Sequence, residues 1–334
     1  MPNRNQGMDE KVNPHNIKVG VVGIGLMGSS IIVALLMAGH HVIAIAPLPD
    51  DKVLGPARVK DDLTRCAQSG LLEGAIDHYL DRLTIAGDYG MLASCSLVLE
   101  CVIEQLAIKE SVFKQISAHV DTAAIIGSNT SAIPISTLQQ FVPDPGRFLG
   151  IHWAEPAYLT RFLEITCGRQ TDITTAEWVM SLAHGWGKEP TLLRKDIRGF
   201  ITNRLMYAVY REIFSLLESG KASLDDVDKA FRYDAGSWMT LMGIFRRMDY
   251  LGLQDYADIL RTTFPQLSTT DEVPAVMQEM VDSNARGVQN ARGLYAYTDE
   301  EARQWEEAFA HFNREIYHLS LQYPSHQLPS KKQG

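Results

Sequence analysis

The chain has 334 residues, 46% of them hydrophobic and 21% charged, which is the balance of an ordinary globular protein with room for two domains. Its net charge of −9 argues against nucleic acid or an anionic membrane as the main partner. The four cysteines show neither a CxxC pair nor zinc-site spacing, so we expect reduced thiols, a cytoplasmic protein and no metal site. The longest apolar stretch, 31–38, is too short to cross a bilayer.

The first ordered segment of the chain reads as a strand, a glycine turn, a helix and a second strand. An apolar run at 17–22 leads directly into GIGLMG at 23–28, and a β-rich run at 41–46 follows an apolar helical stretch. This order is typical of a dinucleotide-binding βαβ unit, and a turn made only for packing is the weaker alternative. The glycines allow a tight turn, close approach of a pyrophosphate and close helix packing. The predicted cofactor-binding residues of this turn are Gly23, Gly25, Leu26, Met27 and Gly28.

The end of the second strand departs from this pattern. An Asp or Glu ordinarily stands there and bonds the adenosine ribose, but the sequence has Ala46 followed by PLPD at 47–50. No Arg or Lys stands between Ala46 and Lys52, so a 2′-phosphate has no evident partner either. We therefore expect NAD as the cofactor, with an altered adenosine end. The sequence leaves open whether Asp50 folds back onto the ribose.

The remaining chain divides by its periodicity. Helices are expected within 50–82 and after Glu104, and strands at 83–88, 96–102, 123–127, 148–153 and 162–166. Strands and helices alternate in this way up to about residue 195, which predicts an α/β fold with a doubly wound parallel sheet. From residue 199 the period is helical, with apolar residues every four positions from Ile201 to Leu217 and a helix start at Ser223.

The expected organisation has two domains between two tails. A polar N-terminal tail covers 1–16 and has no features of a signal peptide. A Rossmann-type domain covers 17–197, and an all-α domain covers 198–323. A short C-terminal tail covers 324–334.

Several sequence motifs follow one another along the chain: GIGLMG at 23–28, ECVIEQLAIK at 100–109, SNTSAI at 128–133, IHWAEP at 151–156, FLEI at 162–165, DIRGFITNRL at 196–205, MDYLGL at 248–253 and ARGLYAY at 291–297. In sequence and in order they resemble motifs of the 3-hydroxyacyl-CoA dehydrogenases and their relatives that act on gulonate or carnitine. Any one of them could arise by chance, but their common order identifies the chain as similar to this family over about 17–300. The resemblance implies NAD-dependent oxidation of a secondary alcohol.

His152 is the candidate general base. It ends a predicted strand, and Glu164 follows twelve residues later in the next one. Oxidation of an alcohol needs a base that takes the hydroxyl proton near neutral pH, and a carboxylate can orient and stabilise the imidazolium. A lone histidine at a strand end is more often structural, but the matching Glu164 and the family motif favour catalysis.

Two further catalytic residues follow from the resemblance. Ser131 lies after a predicted strand, where open α/β sheets bind ligands; in the family it contacts substrate, and its alternative role is a helix N-cap. Asn203 corresponds to the family's asparagine near the histidine and the substrate oxygen, and its alternative role is a capping or interdomain contact.

The resemblance also assigns three cofactor contacts. Glu104 and Lys109 match the family's cofactor-contacting Glu and Lys, although composition alone indicates an ordinary exposed helix start. Asn129 is expected near the nicotinamide. One departure is Glu155, which stands where the family usually has Asn or Ser; a carboxylate cannot donate a hydrogen bond, and we considered Arg161 as a cation that pairs with it.

The expected function is interconversion of an L-3-hydroxyacyl-CoA and its 3-ketoacyl-CoA in fatty acid metabolism. A dehydrogenase of a small free hydroxy acid is the second hypothesis, and a nucleotide-binding relative without turnover is the third. Lys60 is only a loose candidate for CoA binding. The family implies a homodimer, and the apolar cluster at 238–245 suits an interface as well as it suits core packing.

Overall fold

The computed structural model describes residues 14–323. These residues form two compact units, and the boundary between the units along the chain lies between Thr202 and Asn203. Of the two expected tails, 1–13 and 324–334 lie outside the described residues, and Pro14–Asn16 form a single turn of 3-10 helix.

The first unit is built on one eight-stranded sheet. Its strands are β1 (Lys18–Val22), β2 (His41–Ile45), β3 (Leu83–Ala86), β4 (Leu97–Glu100), β5 (Ile125–Ser128), β6 (Phe148–Trp153), β7 (Phe162–Cys167) and β8 (Glu189–Leu193). They lie in the order β3-β2-β1-β4-β5-β6-β7-β8, and every neighbouring pair is parallel except β6 and β7. The predicted α/β class is confirmed, with one antiparallel pair. The connection between β6 and β7 is too short for the crossover that parallel neighbours need.

Helices cover both faces of this sheet. They are α1 (Leu26–Met37), α2 (Pro49–Gln68), α3 (Ile76–Leu80), α4 (Leu106–His119), α5 (Ile135–Leu138) and α6 (Ile173–Gly185). Consecutive strand residues face opposite sides, so Val21 joins the core under α1 while Val22 joins a second core with Phe113 and Phe148. Because both faces are buried, the strands are continuous apolar runs.

The second unit is helical, as predicted. Its helices are α7 (Thr202–Glu218), α8 (Leu224–Ala230), α9 (Gly236–Met239), α10 (Ile244–Leu251), α11 (Leu253–Thr263), α12 (Ala275–Asp282) and α13 (Asp299–Gln322). Ser223 caps α8 by accepting a hydrogen bond from the backbone N–H of Asp226 at 3.1 Å. Thr298 and Glu301 form a capping box at the start of α13. No helix within residues 14–323 is long and apolar enough to cross a membrane.

The second unit has almost no interior of its own. Among its side chains that the structure describes, only Ala302 is buried. Phe245 is 83% exposed, and Met239, Leu241 and Ile244 beside it are also exposed. The apolar cluster at 238–245 is therefore a surface of the chain and not a core.

Candidate active site

The glycine turn has the geometry of a phosphate cradle. Gly23 adopts φ +97°, which L side chains rarely adopt, and its N–H donates to the carbonyl of Ile45. A Cβ on Gly28 would lie 1.9 Å from the carbonyl oxygen of Gly23, so only glycine allows this close packing. A Cβ on Gly25 would meet nothing within 4 Å, and no side chain caps the start of α1 there. The open space and the free N–H groups suit a dinucleotide pyrophosphate.

The next two residues of the turn differ in exposure. Leu26, the first residue of α1, is 63% exposed, and Met27 is half-buried. Their predicted cofactor contacts remain predictions.

His152 and Glu164 are direct cross-strand partners in the antiparallel pair of β6 and β7. Nδ1 of His152 lies 3.7 Å from Oε2 of Glu164, and the two side chains are 13% and 1% exposed. Neither of these two atoms has a hydrogen-bond partner within residues 14–323. The carboxylate is thus held against the imidazole at ion-pair distance, in a site from which most water is excluded.

Ser131 completes a line of three side chains. Its hydroxyl lies 3.1 Å from Nε2 of His152, on the opposite side of the ring from Glu164. The alternative role of Ser131 as a helix N-cap is wrong, because α5 begins at Ile135 with Pro134 as its N-cap. Ser131 and His152 come together because they follow or end the neighbouring strands β5 and β6.

Glu104 anchors the segment that carries Ser131. Its Oε1 accepts hydrogen bonds from the backbone N–H groups of Ser131 at 3.1 Å and Ala132 at 3.2 Å, and from the hydroxyl of Thr130. Partial burial works to raise the pKa of the Glu104 carboxyl, but the bond from Thr130 and the charge of Lys109 outweigh it, so the pKa is lowered.

Lys109 is buried, with 1% of its side chain exposed, so the composition-based expectation of an exposed helix start is wrong for this residue. Its ammonium donates to both carboxylate oxygens of Glu100 at 2.8 and 2.9 Å and lies 3.2 Å from Oε2 of Glu104. Ser128 also donates to Glu100, at 2.6 Å. The buried pair links β4, α4 and the end of β5. The predicted cofactor contacts of Glu104 and Lys109 remain predictions.

The other predicted residues occupy different places. Oδ1 of Asn129 accepts from the backbone N–H of Trp153 at 2.9 Å and so joins the ends of β5 and β6. Asn203 is the first residue of the second unit, and its predicted role remains a prediction. Glu155 is exposed, and Arg161 donates to Glu189 at 2.6 Å, so the cation considered for Glu155 has another carboxylate.

Sequence reasoning missed the segment that supports Glu164. The backbone N–H of Ile201 donates to Oε1 of Glu164 at 2.7 Å. Phe200 before it is buried, has φ +50°, and packs its ring 5.9 Å from that of His152. Such a conformation is strained for a non-glycine residue. A backbone donor has no signature in residue type, so the sequence could not have revealed this contact.

Sequence reasoning also missed Lys188. Its buried ammonium donates to the carbonyls of Ala157, at 2.5 Å, and Thr160, and lies 5.2 Å from the ring centre of Trp153. Burial lowers the pKa of Lys188 to about 7, and the charge of Arg161 adds to the effect. Lys188 thus holds the loop that joins the strands of His152 and Glu164.

All four cysteines are free thiols, as predicted. Burial raises the pKa of Cys66 to about 12, with a smaller contribution from the charge of Asp62. Burial also raises the pKa of Cys95 to about 11, although the charge of Lys18 opposes the shift. A raised pKa makes these two thiols poor nucleophiles near neutral pH.

Two family models cover the two units. The "3-hydroxyacyl-CoA dehydrogenase, NAD binding domain" matches residues 18–197, and the corresponding C-terminal domain matches 199–297. The chain belongs to the 3-hydroxyacyl-CoA dehydrogenase family. It is an NAD-dependent oxidoreductase, and the third hypothesis, a relative without turnover, is set aside.

Its relatives within the family differ in substrate. A 3-hydroxybutyryl-CoA dehydrogenase of Mycobacterium tuberculosis is 30% identical over 84% of this chain and 98% of its own. The 5-formyl-3-hydroxy-2-methylpyridine 4-carboxylate 5-dehydrogenase of Mesorhizobium japonicum is 26% identical over 85% of this chain and 92% of its own.

The solved structures show the same two groups. A crystal structure of the pyridine-carboxylate enzyme, described as an NAD+ dependent dismutase, superposes with a TM-score of 0.84 at 25% identity over 92% of this chain and 99% of that one. The crystal structure of the (S)-3-hydroxybutyryl-CoA dehydrogenase of Ralstonia eutropha superposes with a TM-score of 0.71 at 29% identity, over 84% of this chain and 99% of that one.

Proposed function

We propose that the enzyme interconverts an L-3-hydroxyacyl-CoA and its 3-ketoacyl-CoA, with His152 as the general base. The observation that supports this proposal is the line of Ser131, His152 and Glu164, in which Nε2 of the imidazole faces the serine hydroxyl and Nδ1 faces the carboxylate. This arrangement places Nε2 beside a hydroxyl that can share it with a substrate oxygen, and it places Nδ1 toward a stabilising charge.

The three side chains divide the work of alcohol oxidation. Nε2 of His152 takes the proton of the substrate hydroxyl as the C–H bond breaks. Oε2 of Glu164 favours the tautomer that carries its proton on Nδ1, which leaves Nε2 free to act as the base, and it stabilises the imidazolium that forms when Nε2 takes the substrate proton. The Ser131 hydroxyl lies beside Nε2 and orients the substrate oxygen that binds there. Asn203 is proposed as a second contact to the substrate oxygen. Bound NAD supplies the hydride acceptor.

The residues that would hold NAD are those of the glycine turn. The N–H groups of Leu26 and Met27 at the start of α1 would meet the pyrophosphate over the open face of Gly25. Glu104 would act mainly by holding Ser131 and Ala132 in place.

A small free carboxylate substrate is the second candidate. The observation that favours it is coverage: the pyridine-carboxylate dehydrogenase matches 92% of this chain, whereas the 3-hydroxybutyryl-CoA dehydrogenase of Ralstonia eutropha matches 84%. The family model for the C-terminal domain ends at residue 297, before α13 begins at Asp299.

We also propose a homodimer, assembled through the second unit. Its large exposed apolar side chains include Phe245, Phe264, Phe309 and Phe312, and only Ala302 is buried among those the structure describes there. A helical unit without an interior must bury apolar surface against a partner to be stable. The free cysteines agree with a cytoplasmic location, where thiols stay reduced.

The test is NADH oxidation with acetoacetyl-CoA, with free acetoacetate and 5-formyl-3-hydroxy-2-methylpyridine 4-carboxylate as alternative substrates. We expect the highest kcat/KM with the CoA ester and loss of that rate in His152→Ala. A higher kcat/KM with either free acid would replace the first candidate with the second. A rate that survives in His152→Ala would contradict the proposed base.

A further inference from the structure

The end of β2 carries no charged side chain, and the charged residues that follow it in the chain belong to α2. Ala46 follows β2 directly, is 1% exposed, and donates its N–H to the carbonyl of Ala86, the last residue of β3. A methyl group therefore occupies the position from which a carboxylate would bond the ribose hydroxyls and repel a 2′-phosphate.

The first cation near this position is Arg58 of α2. Its Nη1 donates to the carbonyl of Ile24, inside the glycine turn, at 3.1 Å. A Cβ on Gly55 would lie 2.7 Å from Ile24, so α2 packs closely enough to keep Arg58 at the turn. The carboxylate of Asp51 lies 3.9 Å from the same nitrogen and partly balances its charge.

The second cation is Lys52, six residues earlier on α2. A Cβ on Gly87, just beyond β3, would lie 2.6 Å from its Nζ, so the ammonium sits at the carboxyl edge of the sheet beside β2. Within the described part of the chain, no carboxylate lies within ion-pair distance of this ammonium. The first turn of α2 also carries Asp50 and Asp51, so the two cations are matched in number by two carboxylates. Among the described residues only Asp51 lies within ion-pair distance of either cation, and Lys52 therefore presents an ammonium without a paired carboxylate where the missing acid would have been negative.

We propose that this end of the site accepts the 2′-phosphate of NADP(H) as well as the 2′-hydroxyl of NAD(H), with Lys52 and Arg58 as the phosphate partners. Cations near the end of β2 are the means by which this fold accommodates a 2′-phosphate. The inference depends on the proposed function only in that a dinucleotide binds at the glycine turn.

Equilibrium binding tests the inference without any substrate. Titration of the full chain with NADH and with NADPH, followed by nicotinamide fluorescence, should give Kd values within about tenfold of each other. Ala46→Asp should raise the Kd ratio of NADPH to NADH by about tenfold or more, because it restores the repelling charge. Lys52→Ala should raise the Kd of NADPH by about threefold to tenfold and leave the Kd of NADH unchanged.

Arg65→Ala is the matched control. It removes a cation from the same helix, where Arg65 is exposed and pairs with Asp62, and it should leave the Kd ratio unchanged. If Arg58→Ala disturbs the turn and weakens both nucleotides, the Kd ratio still reports the loss of the phosphate partner.

Three results would overturn the inference. The first is a Kd for NADPH roughly 100-fold higher than that for NADH, together with a Kd for NADPH that Lys52→Ala leaves unchanged. Asp51→Asn could weaken NADH alone, which would make Asp51 the missing ribose acid. Binding of neither nucleotide would refute the cofactor site as well, whereas binding of both without turnover would refute only the proposed substrates.

Discussion

The two ends of the nucleotide site differ in how firmly the fold holds them. At the catalytic end, His152 is placed by strand pairing, Glu164 by the N–H of Ile201, and Ser131 by Glu104. At the adenosine end, the segment after Ala46 is short and exposed, and its charged groups sit on the first turns of α2. The chemistry requires groups fixed relative to one another, whereas ribose recognition depends on a few surface charges that can change independently.

The largest expected effect comes from disabling the catalytic end alone. His152→Gln should lower kcat by about 10²–10⁴-fold because the proton acceptor is lost. The Kd for NADH should stay the same, since the glycine turn is untouched. Steady-state kinetics and fluorescence titration measure the two quantities, and a kcat within tenfold of the unsubstituted enzyme would remove His152 from the mechanism.

The buried pair behind the catalytic end should matter for stability. Lys109→Met leaves the Glu100 carboxylate buried without its cation, which should lower the free energy of unfolding by about 3–5 kcal/mol. Urea denaturation of the purified protein measures this change. The double variant with Glu100→Leu should recover part of the lost free energy of unfolding, because it removes the unpaired carboxylate. If it recovers none, the loss in Lys109→Met does not come from the unpaired charge of Glu100.

Glu164→Gln distinguishes charge from shape at the catalytic end. The amide can still accept from Ile201 but cannot stabilise an imidazolium, so kcat should fall by about 10²-fold with little change in KM. Glu189→Gln on β8 is the control, because it removes a carboxylate that pairs with Arg161 rather than with His152. If both substitutions lowered kcat equally, the effect of Glu164→Gln would come from the loss of a negative charge in the region and not from the pairing of Glu164 with His152.

The smallest effect is expected from the anchor of Ser131. Glu104→Gln should lower kcat/KM by about tenfold, because the neutral amide binds the donors of residues 130–132 and Lys109 less strongly. The lowered pKa of Glu104 means that its contribution to stability is present above the ordinary carboxyl pKa and is lost as the pH falls through the lowered value. We therefore expect the pH profile of kcat/KM in Glu104→Gln to keep the shape of the unsubstituted enzyme's profile above pH 5. A profile shifted along the pH axis would contradict this role of Glu104.

Much of the catalytic end could be predicted from residue types and their order. Strand ends, the glycine turn and the pair of His152 and Glu164 follow from periodicity and from the family resemblance. The contacts of Phe200, Ile201 and Lys188 could not be predicted, because they depend on backbone atoms and on packing between distant segments. Lys109 shows the same limit, since a lysine at a helix start is ordinarily solvated.

The sequence by itself determined the class of fold and the NAD cofactor, because hydrophobic period and glycine spacing are local properties, and the family resemblance added the kind of reaction. Only the tertiary structure decided the antiparallel pairing that sets His152 beside Glu164, the burial of Lys109, and the placement of Arg58 at the glycine turn and of Lys52 beside Gly87. These features depend on which distant segments meet, and that choice is made by the packing of α2 and the sheet as a whole.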